Sequence, residues 1–413
     1  MTQPPDANSP PLKGVRVLDF TWVAAGPHAT FLFALLGAEV IKIESEGRMD
    51  LTRRAIVWPL FAPAPRTISP NRGMAFNSFN VNKLGVTINL DRPEGIDLVK
   101  RLVGVSDVVI ENMRAGTMDR IGLGYEALRQ VNPRIIMLSS SSRGATGPES
   151  QYAGYAMVHH ALGGASYITG YPDGPPSTTT PDVDVMNATG AAFAVIAALH
   201  HRENTGEGQF IDCSQCEGVS SLIGEVLLDY EMNGRSPGRS GNADELLAPH
   251  NVYRCWGVDR WVAIAVQTEE EFAALARVIG HSEIAVDPRF ADAASRKMNE
   301  AELDRIISEW TRARDRDFVA NTLAAAGIAA APSRNAEDLF YDPHLRARGA
   351  WVEIDHPELG RRRVAGPPWK MSGGEVEPQR APLLGEHDEY VFRGLLGMTE
   401  EEVDALRRGG AIQ

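Results

Sequence analysis

Short β-branched runs alternate with helical stretches through the first third of the chain. Residues 15–20 read as a strand, 28–36 as a helix and 39–44 as a second strand, with Ala24-Ala25-Gly26-Pro27 turning between the first two. Strand, glycine-containing turn, helix and strand within about 30 residues predict a βαβ unit, hence a parallel sheet with right-handed crossovers. The pattern continues with strands expected over 86–90, 106–111 and 135–139, and a helix over 93–103 entered through Asp91. An open sheet of this kind places its ligand beyond the carboxyl ends of its strands.

The later pattern differs. A Pro/Gly loop from Gly170 to Asp182 leads to Asp184 and then to the apolar run AAFAVIAALHH from Ala191, which predicts a long helix. Residues 212–236 read as helical and 233–242 as a flexible connection. A strand over 261–266 and helices over 269–279, 300–312 and 317–325 predict a smaller α+β domain spanning 235–335. From residue 342 the chain is loop-rich until a terminal helix at 400–408. Residues 1–10, polar and proline-rich, read as a disordered tail without an apolar signal region.

A length of 413 residues fits two or three domains. The net charge of −13 argues against nucleic acid or an anionic membrane as partner, while a local cluster of Arg and Lys can still bind a small polyanion. No run of about 18 uncharged apolar residues stands out, so no transmembrane helix is expected. The three cysteines (Cys213, Cys216 and Cys255) are too few for a disulfide framework and fit a reducing cytoplasm. Cys213 and Cys216 form a lone C-x-x-C, and the histidine pairs 159–160 and 200–201 point their members to different helix faces. No metal site is expected from either.

Candidate chemistry lies at the expected strand ends. The first turn has only Gly26 and no G-x-G-x-x-G, which disfavours a dinucleotide site. Asn112-Met113-Arg114-Ala115-Gly116 follows a strand directly, with Arg120 beyond it. The two arginines can clamp phosphate or carboxylate oxygens, or can be solvated loop charges. Asn80-Val81-Asn82-Lys83 offers further donors, and the Ser139–Pro148 loop is small enough for close backbone approach. Tyr155 reads either as a pocket phenol or as a half-buried core residue. Asp184, at the mouth of the long helix, reads either as an N-cap or as a carboxylate nucleophile, and Asp182 competes for either role. No G-x-S-x-G elbow is present.

Taken in order, these strings resemble the family III CoA-transferases, a family related to the acyl-CoA racemases. The resemblance runs from Pro11-Leu12-Lys13-Gly14-Val15-Arg16-Val17-Leu18-Asp19 through Leu36-Gly37-Ala38-Glu39-Val40-Ile41-Lys42-Ile43-Glu44 and Glu111-Asn112-Met113-Arg114-Ala115-Gly116. It continues through Thr169-Gly170-Tyr171-Pro172-Asp173-Gly174-Pro175-Pro176 and Arg202-Glu203-Asn204-Thr205-Gly206-Glu207-Gly208-Gln209 to Ala381-Pro382-Leu383-Leu384-Gly385-Glu386-His387.

The resemblance implies a Rossmann-like large domain from residues 11–234 and 336–413, an α/β open parallel sheet, beside the small α+β domain. It further implies two chains interlocked as a homodimer, with a heterodimer as the alternative. It implies a catalytic aspartate fifteen residues before the leucine closing A-A-L, which selects Asp184 against Leu199. Positions implied to touch coenzyme A are Val23, Ala24, Ala25, Lys83, Asn112, Met113 and Arg120, with Arg114 as a helper and Tyr155 as an active-site tyrosine.

The implied substrates are an acyl-CoA thioester and a carboxylic acid, with no tightly bound cofactor. Ala24 stands where the formyl branch has glutamine, Ser45 where it has arginine, and residues 241–247 replace its glycine-rich flap. Tyr155-Ala156 replaces the His-Asp pair of the racemases. A racemase, or a non-catalytic subunit of a heteromeric enzyme, is the alternative reading.

Overall fold

The computed structural model describes residues 8–54, 69–177 and 182–413. The beginning of the expected N-terminal tail and the Asp182 side chain lie outside the described residues. The chain divides into two compact units. One comprises residues 1–166, 178–234 and 345–413, and the other 167–177 and 235–344.

The first unit is built on six parallel strands: β1 (Arg16–Asp19), β2 (Glu39–Glu44), β3 (Leu84–Thr87), β4 (Val108–Glu111), β5 (Ile136–Ser141) and β6 (Phe210–Ser214). Their order is β3-β2-β1-β4-β5-β6, so the direction of winding reverses between β1 and β4. That reversal opens a crevice at the carboxyl ends of these two strands.

The two-residue period of the strands explains why both faces are covered. Leu18, Ile41, Val86 and Val109 face one side with Leu98, Val99 and Leu102 of the Pro93–Val103 helix. Their neighbours Val17, Val40, Val108 and Ile136 face the other, against Phe33 and Ala34 of the first helix (Ala25–Leu35). Ala188, Ala191, Ala192, Val195 and Ala198 of the Asp182–Thr205 helix complete that second layer. Small alanines on this long helix let it lie close against the first helix.

One sequence expectation needs correction here. The stretch 212–236 is not wholly helical: Phe210–Ser214 pairs with β5 as the sheet's last strand, and helices Gln215–Leu222 and Gly224–Asn233 follow. A helix long and apolar enough by length and composition to cross a membrane does exist, Val183–Thr205. One face of it belongs to the core just described.

The second unit contains an antiparallel sheet of β7 (His250–Arg254), β8 (Trp261–Ala265) and β9 (Ala329–Pro332). Helices Glu269–Ile279, Glu300–Arg312 and Arg316–Ala325 cover it around Phe272, Leu275, Leu303, Ile307 and Leu323. The first of these starts with a capping box between Thr268 and Glu271, as its sequence dictates. Segment 167–177, assigned above to the large domain, groups with this unit instead. Its backbone accounts for that: Gly170 O accepts from Gly241 N at 2.8 Å, and Tyr167 O from Arg239 Nη1 at 3.2 Å. The segment after residue 342 forms a hairpin, β10 (Trp351–His356) with β11 (Gly360–Ala365), where only loop was expected.

Candidate active site

Five consecutive main-chain polar groups between β1 and the first helix are held by side chains. Thr21 N donates to Asp19 Oδ1 at 2.8 Å, and Thr21 O accepts from Lys42 Nζ at 2.7 Å. Trp22 N donates to Asn112 Oδ1 at 2.8 Å, while Asn112 Nδ2 returns a bond to Trp22 O at 2.9 Å. Val23 N donates to Asp50 Oδ1 at 3.3 Å. Val23 itself lies in the left-handed region with φ of 70°. A β-branched residue held there costs on the order of 1–3 kcal/mol, and persists only where its surroundings over-determine it. Gly26 is required next to it, because a Cβ there would sit 2.4 Å from Thr21 Cβ.

Beneath this loop is a buried charge network. Lys42 pairs with Asp50 at 3.2 Å, Arg53 with Glu44 at 2.8 Å and Lys83 with Asp19 at 3.0 Å, all with side chains essentially closed to solvent. Burial alone would raise the Asp19 carboxyl. The ammoniums of Lys83 and Lys42, with the hydroxyls of Thr21 and Thr30, outweigh it and bring Asp19 from 3.8 to about 2. For Lys83 burial prevails over the attraction of Asp19, lowering it from 10.5 to about 8.

The structure therefore does not place the Lys83 ammonium where the resemblance implied a phosphate ligand. Its ammonium is enclosed by Asp19, Pro27 O, Thr30 Oγ1 and Asn80 Oδ1 at 2.7–3.0 Å.

At the end of β4, Glu111 is buried between Ser139, whose hydroxyl donates to it, and Met113 N, which donates at 2.6 Å. Burial raises its carboxyl from 4.5 to about 7, against those two bonds. This fixes the turn carrying Asn112, Met113 and Arg114.

A cavity of about 580 Å³ opens above these strand ends. It brings together Val23, Ala24, Ala25, Asn112, Met113, Arg114, Tyr155 and Asp184 from the sequence-predicted set, and leaves out Lys83 and Arg120. Arg120 sits on the exposed side of the neighbouring turn, with Nη2 donating to the wall residue Thr117 at 2.8 Å. Trp22, Arg48, His159 and Gln215 line the cavity too and were missed. They stand in strings that say nothing of chemistry locally, and only the fold converges them.

Three carboxylates reach the cavity wall. Glu44 is committed to Arg53, and Asp91 pairs with Arg48 at 3.3 Å. Asp184, in the first turn of the long helix, has no hydrogen-bond or ion-pair partner among the described residues. The helix end favours its anion, whereas burial pushes its carboxyl upward.

Comparison with known proteins decides what this site belongs to. The model of CoA-transferase family III matches residues 12–388. This chain belongs to that family. It is 36% identical over 409 residues to the succinyl-CoA–D-citramalate CoA-transferase of Chloroflexus aurantiacus, covering 96% of this chain and 97% of that protein. It is 34% identical over 403 residues to the beta subunit of the succinyl-CoA–L-malate CoA-transferase of the same organism, covering 96% and 97%. Among solved structures, a CAIB/BAIF family protein from Brucella suis matches with a TM-score of 0.83 and 32% identity, over 94% of this chain and 100% of that one. As a family III CoA-transferase, the protein acts on CoA thioesters and carboxylic acids.

Proposed function

We propose that this transferase moves CoA from succinyl-CoA to a second carboxylic acid, with Asp184 as its nucleophile. The succinyl donor is suggested by the two curated relatives, each named for succinyl-CoA. The observation that carries the nucleophile is that Asp184 is the cavity carboxylate without a partner among the described residues.

In the first step an Asp184 oxygen attacks the thioester carbonyl and the C–S bond breaks, leaving an aspartyl–succinyl anhydride and CoA thiolate. The thiolate attacks the aspartyl carbonyl and expels succinate, giving an aspartyl-CoA thioester. The acceptor carboxylate attacks that carbonyl and releases thiolate, forming an anhydride with Asp184. Attack of the thiolate on the acceptor's carbonyl then frees the new thioester and Asp184. Charge is conserved at each step, and no proton moves. A carboxylate raised by burial is a stronger nucleophile once ionised, which suits this chemistry.

Arg114 is exposed at the cavity wall and has no ion-pair partner among the described residues, while the Arg48–Asp91 pair is exposed enough to exchange. Both are suited to the phosphates of CoA. The rigid Thr21–Val23 loop sits where the reacting end would be oriented.

The interlocked homodimer is proposed on the resemblance. Exposed Leu227, Leu228, Tyr230 and Met232 on the Gly224–Asn233 helix support it, since such side chains call for cover.

The test is incubation of the purified protein with succinyl-CoA and a panel of acids, read by mass spectrometry. Asp184→Ala should retain its circular dichroism and lose transfer by roughly a thousandfold or more. Near-normal turnover in that variant rules out Asp184 as nucleophile.

A further inference from the structure

An ion pair joins the two loops that follow β2 and β3 at the cavity rim: Arg48 meets Asp91 at 3.3 Å. Each side chain is 65% exposed, and a pair so open to water is too weak to hold two loops in register by itself. A third segment touches both loops. After the Glu400–Arg408 helix the chain turns at Gly410 and buries Ala411 and Ile412. Ile412 joins Ile43, Val86 and Ile88 in one core cluster. The main chain of this segment runs along the end of β3, where Asn89 N donates to Ala411 O at 2.8 Å and Gln413 N donates to Thr87 Oγ1 at 3.3 Å.

From there the segment reaches each loop separately. The Asn89 amide is divided between the two: Nδ2 donates to Gly410 O at 3.1 Å, and Oδ1 accepts from Asp91 N at 3.0 Å. On the other side, Gln413 Oε1 accepts from Glu46 N at 2.9 Å. Glu46 lies inside the turn in which Arg48 N donates to Ser45 O at 3.0 Å and to Ser45 Oγ at 3.1 Å. Each member of the ion pair thus stands two residues from the point where its loop is gripped, Glu46 for Arg48 and Asn89 for Asp91. Neither Asn89 nor Gln413 lines the cavity.

The Gln413 side chain is exposed, while the neighbouring Ala411 and Ile412 anchor the segment. Its amide oxygen therefore holds a loop that carries a cavity charge rather than the core. We propose that Gln413 is a positioning residue for CoA: fixed beside the Asp91 loop through Asn89, it holds the Ser45–Arg48 turn so that the Arg48 guanidinium is presented to a CoA phosphate. This rests on the reading above that gives Arg48 to the phosphates. A guanidinium clamp works only where its supporting shell keeps it in place, and here that shell is a segment far away in sequence.

The experiment titrates CoA into the full-length protein by calorimetry, and measures succinyl-CoA turnover with isotopically labelled succinate as acceptor. Gln413→Met keeps the length of the side chain and removes the acceptor for Glu46 N, so its thermal midpoint should not move. It should weaken CoA about fivefold and lower kcat/KM for succinyl-CoA by the same factor, the size of one lost hydrogen bond. Its kcat/KM for labelled succinate should hold, because CoA is already on the enzyme when that acid reacts, whereas a loss of folded protein would lower both. Arg48→Ala should weaken CoA about tenfold, and adding Gln413→Met to it should change nothing further. The calorimetric arm does not depend on which acyl group the donor carries. Arg48→Ala binding CoA as wild type does overturns the phosphate reading and this inference with it. A Gln413→Met protein with wild-type CoA affinity overturns the inference and leaves Arg48 as a ligand. So does a Gln413→Met loss that persists undiminished beside Arg48→Ala.

Discussion

Replacing Lys83 by methionine separates two roles that the sequence alone left merged. If Lys83 held a phosphate of CoA, its loss would weaken substrate binding and barely touch stability. The structure requires the opposite, since its ammonium pairs with Asp19 at 3.0 Å and also donates to Pro27 O, Thr30 Oγ1 and Asn80 Oδ1, with no exposure. Removing one member of such a buried pair costs about 3–5 kcal/mol. The depression of Asp19 from 3.8 to about 2 by Lys83, Lys42 and two hydroxyls points the same way, while burial of the Lys83 ammonium, lowered from 10.5 to about 8, works against it.

The sign follows from Asp19 being a depressed carboxylate. Its contribution is fully present above pH 3.8 and disappears as pH falls toward 2, so the gap between wild type and variant should narrow there. Urea unfolding followed by tryptophan fluorescence at pH 7 should show Lys83→Met destabilised by about 3 kcal/mol or more. Adding Asp19→Asn should recover at least about 1 kcal/mol relative to the sum of the single changes. A variant within about 1 kcal/mol of wild type, with KM for succinyl-CoA raised about tenfold, would refute the reasoning and restore Lys83 as a ligand.

Three further outcomes follow from the same geometry. Glu111 is a carboxyl raised from 4.5 to about 7, so its stabilising contribution is lost as pH rises through that window. Glu111→Gln should remove that slope and be more stable than wild type at pH 8.5 by up to about 3 kcal/mol, measured by denaturant midpoints across pH. Because burial raises Asp184 in the free enzyme, the acid limb of kcat/KM should lie above an ordinary aspartate's 3.8, and a limb at or below that value contradicts the assignment. Asn112→Ala strips both bonds from the Trp22 backbone and should raise KM for the CoA donor by roughly tenfold, with Asn112→Asp intermediate because it keeps only the acceptor for Trp22 N.

The parallel sheet was legible because β1, β2 and β4 are β-branched runs buried on both faces, and such runs leave a strong local signal. Strand Phe210–Ser214 was not, because its edge position leaves Phe210 exposed and its sequence passes without a break into helix. The hairpin Trp351–Ala365 was hidden for a similar reason, as its arginines and acids mask the alternation. Asp184 could be singled out by its place before an apolar helix together with a family spacing. The spacing alone could not show that burial would oppose the helix end. Lys83 failed in the other direction, since a lysine beside Asn80 and Asn82 reads as a surface donor until the fold encloses it against Asp19.

That failure and the strained Val23 have one physical cause. The loop after β1 has no glycine pair to relax it and must still turn sharply at the reversal between β1 and β4. Left to itself, a valine at φ of 70° would relax to the extended region. What prevents this is a set of full or partial charges on the neighbouring strands and loops. Asp19 and Lys42 lie on the sheet, Asn112 follows β4, and Asp50 lies beyond β2. Their burial is expensive unless every member is paired, and Lys83 is the member that balances Asp19. The lysine thus acts on the site at one remove. It keeps Asp19 ionised, Asp19 keeps Thr21 in place, and the loop forms a wall of the cavity.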